Sequence, residues 1–163
     1  GKGTVTGTVV VAQVEVQLAT DDEDLPRPQH IIGWANMALA AVQRLAGELT
    51  VRVVGEKEMA ELNHHYRGHD GATNVLSFLF EPPPGTELPI LGDVVVCAPV
   101  VRREAQAQGK STQAHFAHMV AHGVLHLCGH SHQHDSEAQV MEALEARILT
   151  SQGFADPYQI AKL

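Results

Sequence analysis

Apolar and polar positions alternate along this chain in two rhythms, and together they set out the elements. Val9 to Val16 is mostly β-branched and apolar and ends in Glu15-Val16-Gln17-Leu18 alternation, which predicts a strand. The acidic run Asp21–Asp24, with Pro26 and Pro28, predicts a loop. From Gln29 to Ala46, the residues Ile32, Ala35, Leu39, Val42 and Ala46 follow helical spacing, and Gly47 marks the end. A short strand is expected at Leu49–Val54 and a short helix at Glu56–His65. His69-Asp70-Gly71 reads as a turn, Asn74–Phe80 as a strand and Pro82-Pro83-Pro84-Gly85 as a surface loop. Leu91–Ala98 carries Val94-Val95-Val96, apolar on both faces, as a central strand requires. Three helices complete the pattern. One runs from Pro99 to Gln108 before Gly109, one is capped by Ser111 and reaches Leu127, and one is capped by Ser136 and reaches Leu149.

The order β-α-β-α-β-β-α-α-α predicts an α+β fold. The expectation is a single domain: a mixed, mostly parallel sheet of about four strands packed with about five helices. A chain of 163 residues suits one core. The domain is expected over 9–163, with 1–8 (which include Gly1-Lys2-Gly3-Thr4) read as an appended remnant or disordered N-terminus.

Composition narrows the setting. No apolar run approaches the ~18 residues of a membrane span, so no membrane partner is expected. No signal-peptide pattern is visible, and Cys97 and Cys128 do not form a disulfide framework, so a cytoplasmic location is expected. The net charge of -8, from 11 basic and 19 acidic residues, argues against non-specific binding along a nucleic-acid duplex. The acidic residues cluster at Asp21–Asp24 and at Glu137, Glu142 and Glu145, and both groups read as solvated surface.

The chemistry lies in a histidine tract. Seven histidines fall between His115 and His134. His118, His122 and His126 share one helical face, but the first and last are about 12 Å apart along it and cannot hold one ion. One i, i+4 pair must bind, with a third ligand from beyond the helix. The pair His122/His126 lies next to Gly129, which can take the left-handed conformation that turns the chain back. His130, His132 and His134 are then candidates, and His132 is favoured by the three-residue step past Gly129. Three histidines with an open fourth position is the arrangement of a catalytic zinc, one Zn2+ per chain. The spacing is also that of metzincin proteases, but Gly123 stands where their general-base glutamate belongs. Cys128 reads as a small buried apolar residue.

The segment His122-Gly123-Val124-Leu125-His126-Leu127-Cys128-Gly129-His130-Ser131-His132 resembles the H-G-x-L-H-L-x-G-Y-D-H signature of the YbeY family of bacterial metal-dependent endoribonucleases. Leu62-Asn63 through Tyr66-Arg67, with Asp70 and Thr73-Asn74-Val75-Leu76-Ser77-Phe78, is similar to its N-x-x-[FY]-R…T-[DN]-V-L-S-F block. Leu91-Gly92-Asp93-Val94-Val95-Val96 is similar to its L-G-D-I-x-I strand, and Met141–Glu145 to its last helix.

The resemblance implies an α+β domain holding one zinc through His122, His126 and His132, with Arg67 as the functional arginine. It implies cleavage of single-stranded RNA, processing of the 3′ end of small-subunit ribosomal RNA, and quality control on the ribosome. The implied partners are ribosomal RNA, the small subunit and proteins associated with it. His130-Ser131 replaces the family's Tyr-Asp, so any ligand-orienting role of that Asp must pass to another group, for which Asp135 is the candidate. Ala72 replaces the family's Pro.

Arg67 suits phosphate binding; the structural alternative is an ion pair with Asp70. Ser77, Asp93 and His118 are candidate cleft residues, and Arg102 and Arg103 candidate RNA contacts. Two other functions remain open: a ribosome-assembly binding factor with mainly structural zinc, and a metzincin-like peptidase.

Overall fold

The computed structural model describes residues 12–44, 46–86 and 88–159. It is a four-stranded sheet in the order β1-β2-β4-β3 with five helices. The strands are β1 (Ala12–Ala19), β2 (Gly47–Val54), β3 (Val75–Leu79) and β4 (Ile90–Cys97). The helices are α1 (Pro28–Ala41), α2 (Glu56–Arg67), α3 (Ala98–Gln108), α4 (Thr112–Leu127) and α5 (Asp135–Ser151). β1 and β4 flank β2 in parallel, and β3 runs antiparallel along the edge of β4. The architecture is thus the expected α+β single domain with a mostly parallel sheet. The expectations for 1–8 and for the start of the first strand lie outside the described residues.

Strand alternation explains why β4 is apolar throughout. Val94 and Val96 face the main core, with Ile31, Ala35 and Leu39 of α1, Phe116, Val120 and Val124 of α4, and Ile148 of α5. Val95 and Cys97 face the other way, into a small cluster with Met59 of α2 and Leu76. α4 is covered on nearly every side and forms the centre of the helical layer. Away from α2, the outer sheet face stays polar, with Gln13, Glu15, Glu48 and Asp93 exposed.

Several boundaries differ from the sequence reading by a few residues, and three of them have a clear local cause. α1 ends at Ala41, not Ala46, because the chain closes through Gln43 at φ 58, and Arg44 N–H donates to the Leu39 carbonyl at 2.8 Å. This is a left-handed helix closure without glycine, so nothing in the composition marked it. α2 continues to Arg67 and stops at Gly68, which is left-handed at φ 68. α5 starts at Asp135, with His134 in the capping position and no side-chain cap; Ser136 lies inside the first turn. There Asp135 and Glu137 complement the positive end of the helix.

Candidate metal centre and active-site cleft

α4 begins where expected, with Ala114 N–H donating to Ser111 Oγ at 3.1 Å. It ends in a paired closure: Gly129 N–H donates to the His126 carbonyl and His130 N–H to the Leu125 carbonyl, both at 3.0 Å. Gly129 sits at φ 94, which an L side chain rarely adopts. The turn brings His132 back over the helix, its ring 5.3 Å from that of His122 and 5.1 Å from that of His126.

The nitrogens of His122, His126 and His132 available to a metal lie within 4.8 Å of one another. Nε2 of His122 and Nε2 of His126 are 3.1 Å apart. Two nitrogens bound tetrahedrally at 2.0–2.1 Å are separated by about 3.3 Å, so this pair already has the spacing that zinc requires. Three imidazoles are a donor set for zinc and other borderline metals. Burial, then repulsion from His122 and His132, holds His126 down at about 4, leaving it neutral and able to donate a lone pair at neutral pH. The three histidines could hold one metal ion.

Beneath them lies Glu145 of α5, 1% exposed. Its Oε1 is 2.9 Å from His122 Nδ1 and 2.8 Å from His118 Nε2, and its Oε2 accepts from Tyr158 Oη at 2.8 Å. Burial alone would raise this carboxyl, but the His118 and His122 hydrogen bonds outweigh it and set it at about 2. As a carboxylate, Glu145 accepts a hydrogen bond from His122 Nδ1–H, which keeps the proton on Nδ1 and leaves Nε2 free to face the cleft. Burial, then the Glu145 charge, pushes the Tyr158 hydroxyl up, so it stays a donor.

A cleft of about 590 Å³ opens over His122, His126 and His132 and is walled by Arg67, Asn74, Ser77 and Leu79. Its wall is the free edge of β3. Cys97 N–H donates to the Asn74 carbonyl, and Phe80 N–H to the Leu91 carbonyl, so Val75, Ser77 and Leu79 turn their peptide groups away from β4. Arg67 reaches across from the last turn of α2, its Nη2 donating to the Ser77 carbonyl at 2.7 Å. It has no carboxylate partner among the described residues; Asp70 is instead 3.3 Å from His64.

The chain matches the family model described as Endoribonuclease YbeY over residues 16–153. A curated relative from Nitrosococcus oceani, named Endoribonuclease YbeY, is 51% identical over 148 residues, covering 90% of this chain and 96% of its own. In the solved structures, the fold is similar to the solution structure of TM1509 from Thermotoga maritima. That match has a TM-score of 0.56 and 20% identity, and covers 91% of this chain and all of the other. The chain belongs to the YbeY endoribonuclease family.

The remaining candidates of this YbeY-family chain fall in different places. Ser77 lines the cleft, but its Oγ donates to the Gly123 carbonyl at 2.8 Å and is committed to holding α4. His118 is buried against Glu145, below the cleft rather than in it. Asp93 is exposed on the opposite sheet face. Arg102 pairs with Asp22 at 3.5 Å and Arg103 with Glu56, neither in the cleft. Asp135 opens α5 and holds no ligand; the orienting carboxylate is Glu145, which the sequence reading placed on the solvated surface. The overlooked signal was its position on the apolar face of α5, four residues after Met141 and three before Ile148. Ser131, in place of the family's Asp, donates to Glu137 Oε2 at 2.5 Å and ties the His132 loop to α5. The turn at Ala72 is held instead by Asn63, whose Nδ2 donates to the Gly71 carbonyl at 2.9 Å. Cys128 packs against the core, and burial pushes its thiol up.

Proposed function

We propose that this chain is a zinc-dependent endoribonuclease specific for single-stranded RNA, acting on the 3′ end of small-subunit ribosomal RNA and in ribosome quality control. His122, His126 and His132 would hold one zinc ion; membership of an endoribonuclease family supports RNA as the substrate, and the ribosomal context rests on the motif resemblance. Bound there, zinc supplies a Lewis acid for a phosphodiester and for water. The observation that carries the reading is the position of Arg67 beside the three histidines, with its charge uncommitted to any described carboxylate.

The chain's own residues divide the work. Glu145 fixes the His122 tautomer and keeps one nitrogen directed at the cleft. The Ser77 carbonyl and the Phe78 ring, 5.6 Å from the guanidinium carbon, orient Arg67 to bind a phosphate and offset charge that develops on it. The free edge of β3 forms a wall along which an extended strand can lie. The peptidase alternative meets a steric obstacle at Gly123. A Cβ there would stand 2.4 Å from Val94 Cγ1, so α4 has no room for the protease's glutamate at this position.

The first test is elemental analysis of the purified chain beside His126→Ala, followed by cleavage of single-stranded RNA by both and by Arg67→Ala. About one zinc per chain, lost in His126→Ala, with cleavage lost in both variants, is the expected result. Absence of stoichiometric metal would overturn the ligand assignment. Cleavage surviving in Arg67→Ala while ribosome association is lost would favour the binding-factor reading.

A further inference from the structure

The groove on the reverse face of β3 has no part in the metal centre, yet Arg67 joins it to the cleft. It encloses about 380 Å³ between α2 and the outer face of the sheet. Its aromatic wall is Tyr66, 60% exposed, set against Phe78 with ring centroids 5.2 Å apart at 64°. Leu62 and Val95 extend the apolar wall, and the remaining lining is polar. Arg52 is spent on Glu58, at 2.7 and 3.0 Å, which leaves the Asp93 carboxylate and the Thr50 hydroxyl without side-chain partners among the described residues.

We infer that this groove is a base-binding subsite, in which one unpaired nucleobase of the RNA stacks on Tyr66 next to the phosphate held by Arg67. The inference rests on the endoribonuclease reading and names how that substrate is gripped. Three observations select a base over other chemistry. The aromatic face offers stacking area that every base can use. The free carboxylate of Asp93 repels phosphate, so the strand's backbone stays at Arg67 and its neutral base enters the groove. Arg67 and Tyr66 are consecutive residues, and the Arg67 guanidinium packs on Phe78, the ring that Tyr66 also touches, so adjacent parts of one nucleotide strand meet adjacent side chains. Asp93 accepts hydrogen bonds, which suits bases presenting an amino group. Uracil's single N–H lies between two carbonyls that a carboxylate repels, and it is the least suited.

The test uses the zinc-loaded full chain and a 2′-O-methylated single-stranded octanucleotide, with 2-aminopurine placed at each position in turn and the strand's integrity checked on a gel. One position is expected to change fluorescence strongly on binding. Tyr66→Ala is expected to remove that change and weaken binding about 10-fold, whereas Tyr66→Phe retains both. Tyr66→Leu fills the space without a ring and is expected to behave like Tyr66→Ala. Tyr66 is exposed, so a thermal melt matching the parent's is expected for each variant. Binding by Tyr66→Ala within twofold of the parent, or a Tyr66→Leu variant indistinguishable from it, would overturn the stacking subsite. A parent chain that binds no octanucleotide at all would instead overturn the endoribonuclease reading, before any variant is compared.

Discussion

Glu145 concentrates more of the site's physics than any histidine. One buried carboxylate meets two imidazoles and a phenol, and its charge makes His122 a better donor through the ring. Glu145→Gln keeps the shape and an acceptor oxygen but removes the charge. Zinc affinity, measured by competition with a chromogenic chelator, is expected to fall about 10- to 100-fold. Unchanged affinity would mean that His122 is oriented by packing alone. The same variant carries a pH signature. Glu145 sits at about 2 in the folded chain, below its ordinary 4.5, so its contribution to stability is complete above pH 4.5. That contribution is lost as the pH falls through about 2. Acid unfolding of Glu145→Gln should therefore lack this part of the acid limb. Equal slopes for parent and variant would show that the carboxylate is not held as described.

At the scale of elements, the site depends on how closely α4 lies on β3 and β4. Gly123 permits that approach: an added Cβ would meet Val94 Cγ1 at 2.4 Å and Ser77 Oγ at 3.2 Å. Gly123→Ala is expected to destabilise the fold by about 1–3 kcal/mol by overpacking. Adding Val94→Ala should recover part of this, giving a less-than-additive double-mutant cycle in denaturant melts. Additive losses would place the strain elsewhere. The same helix shows what the sequence could disclose. Its start at Ser111, its end at Gly129 and the choice of His132 all rest on local chain geometry, which spacing records. The contacts between elements were another matter. Glu145 meets His122 across 23 residues and Arg67 meets the Ser77 carbonyl across 10, and no local pattern encodes such contacts. Asp93, a candidate cleft residue, lies outside the cleft for a related reason. Strand alternation sends it to the face opposite Val94, but only the packing of α4 decides which face carries the three histidines.

The whole molecule carries a net charge of -8, yet is proposed to bind a polyanion. The conflict is resolved by how few cations the site uses. Arg67 is the single lysine or arginine lining the cleft among the described residues, while Arg102 and Arg103 are tied to Asp22 and Glu56. Affinity must then come mainly from stacking, hydrogen bonds and the metal, with little counterion release. For single strands the slope of log K against log salt is about -0.7 per neutralised phosphate. One or two contacts predict a loss of only about 3- to 7-fold between 50 and 200 mM salt. Titrating a single-stranded octanucleotide by fluorescence anisotropy across that range tests the point, and Arg67→Ala should flatten the dependence further. A slope steeper than about -3 would require several phosphate contacts. The strand would then follow some other surface, and the cleft beside the three histidines would not be its main path. A shallow slope would mean that an acidic protein selects its RNA by the shape of one unpaired segment, since its overall field repels any strand that the cleft and the β3 edge do not engage directly.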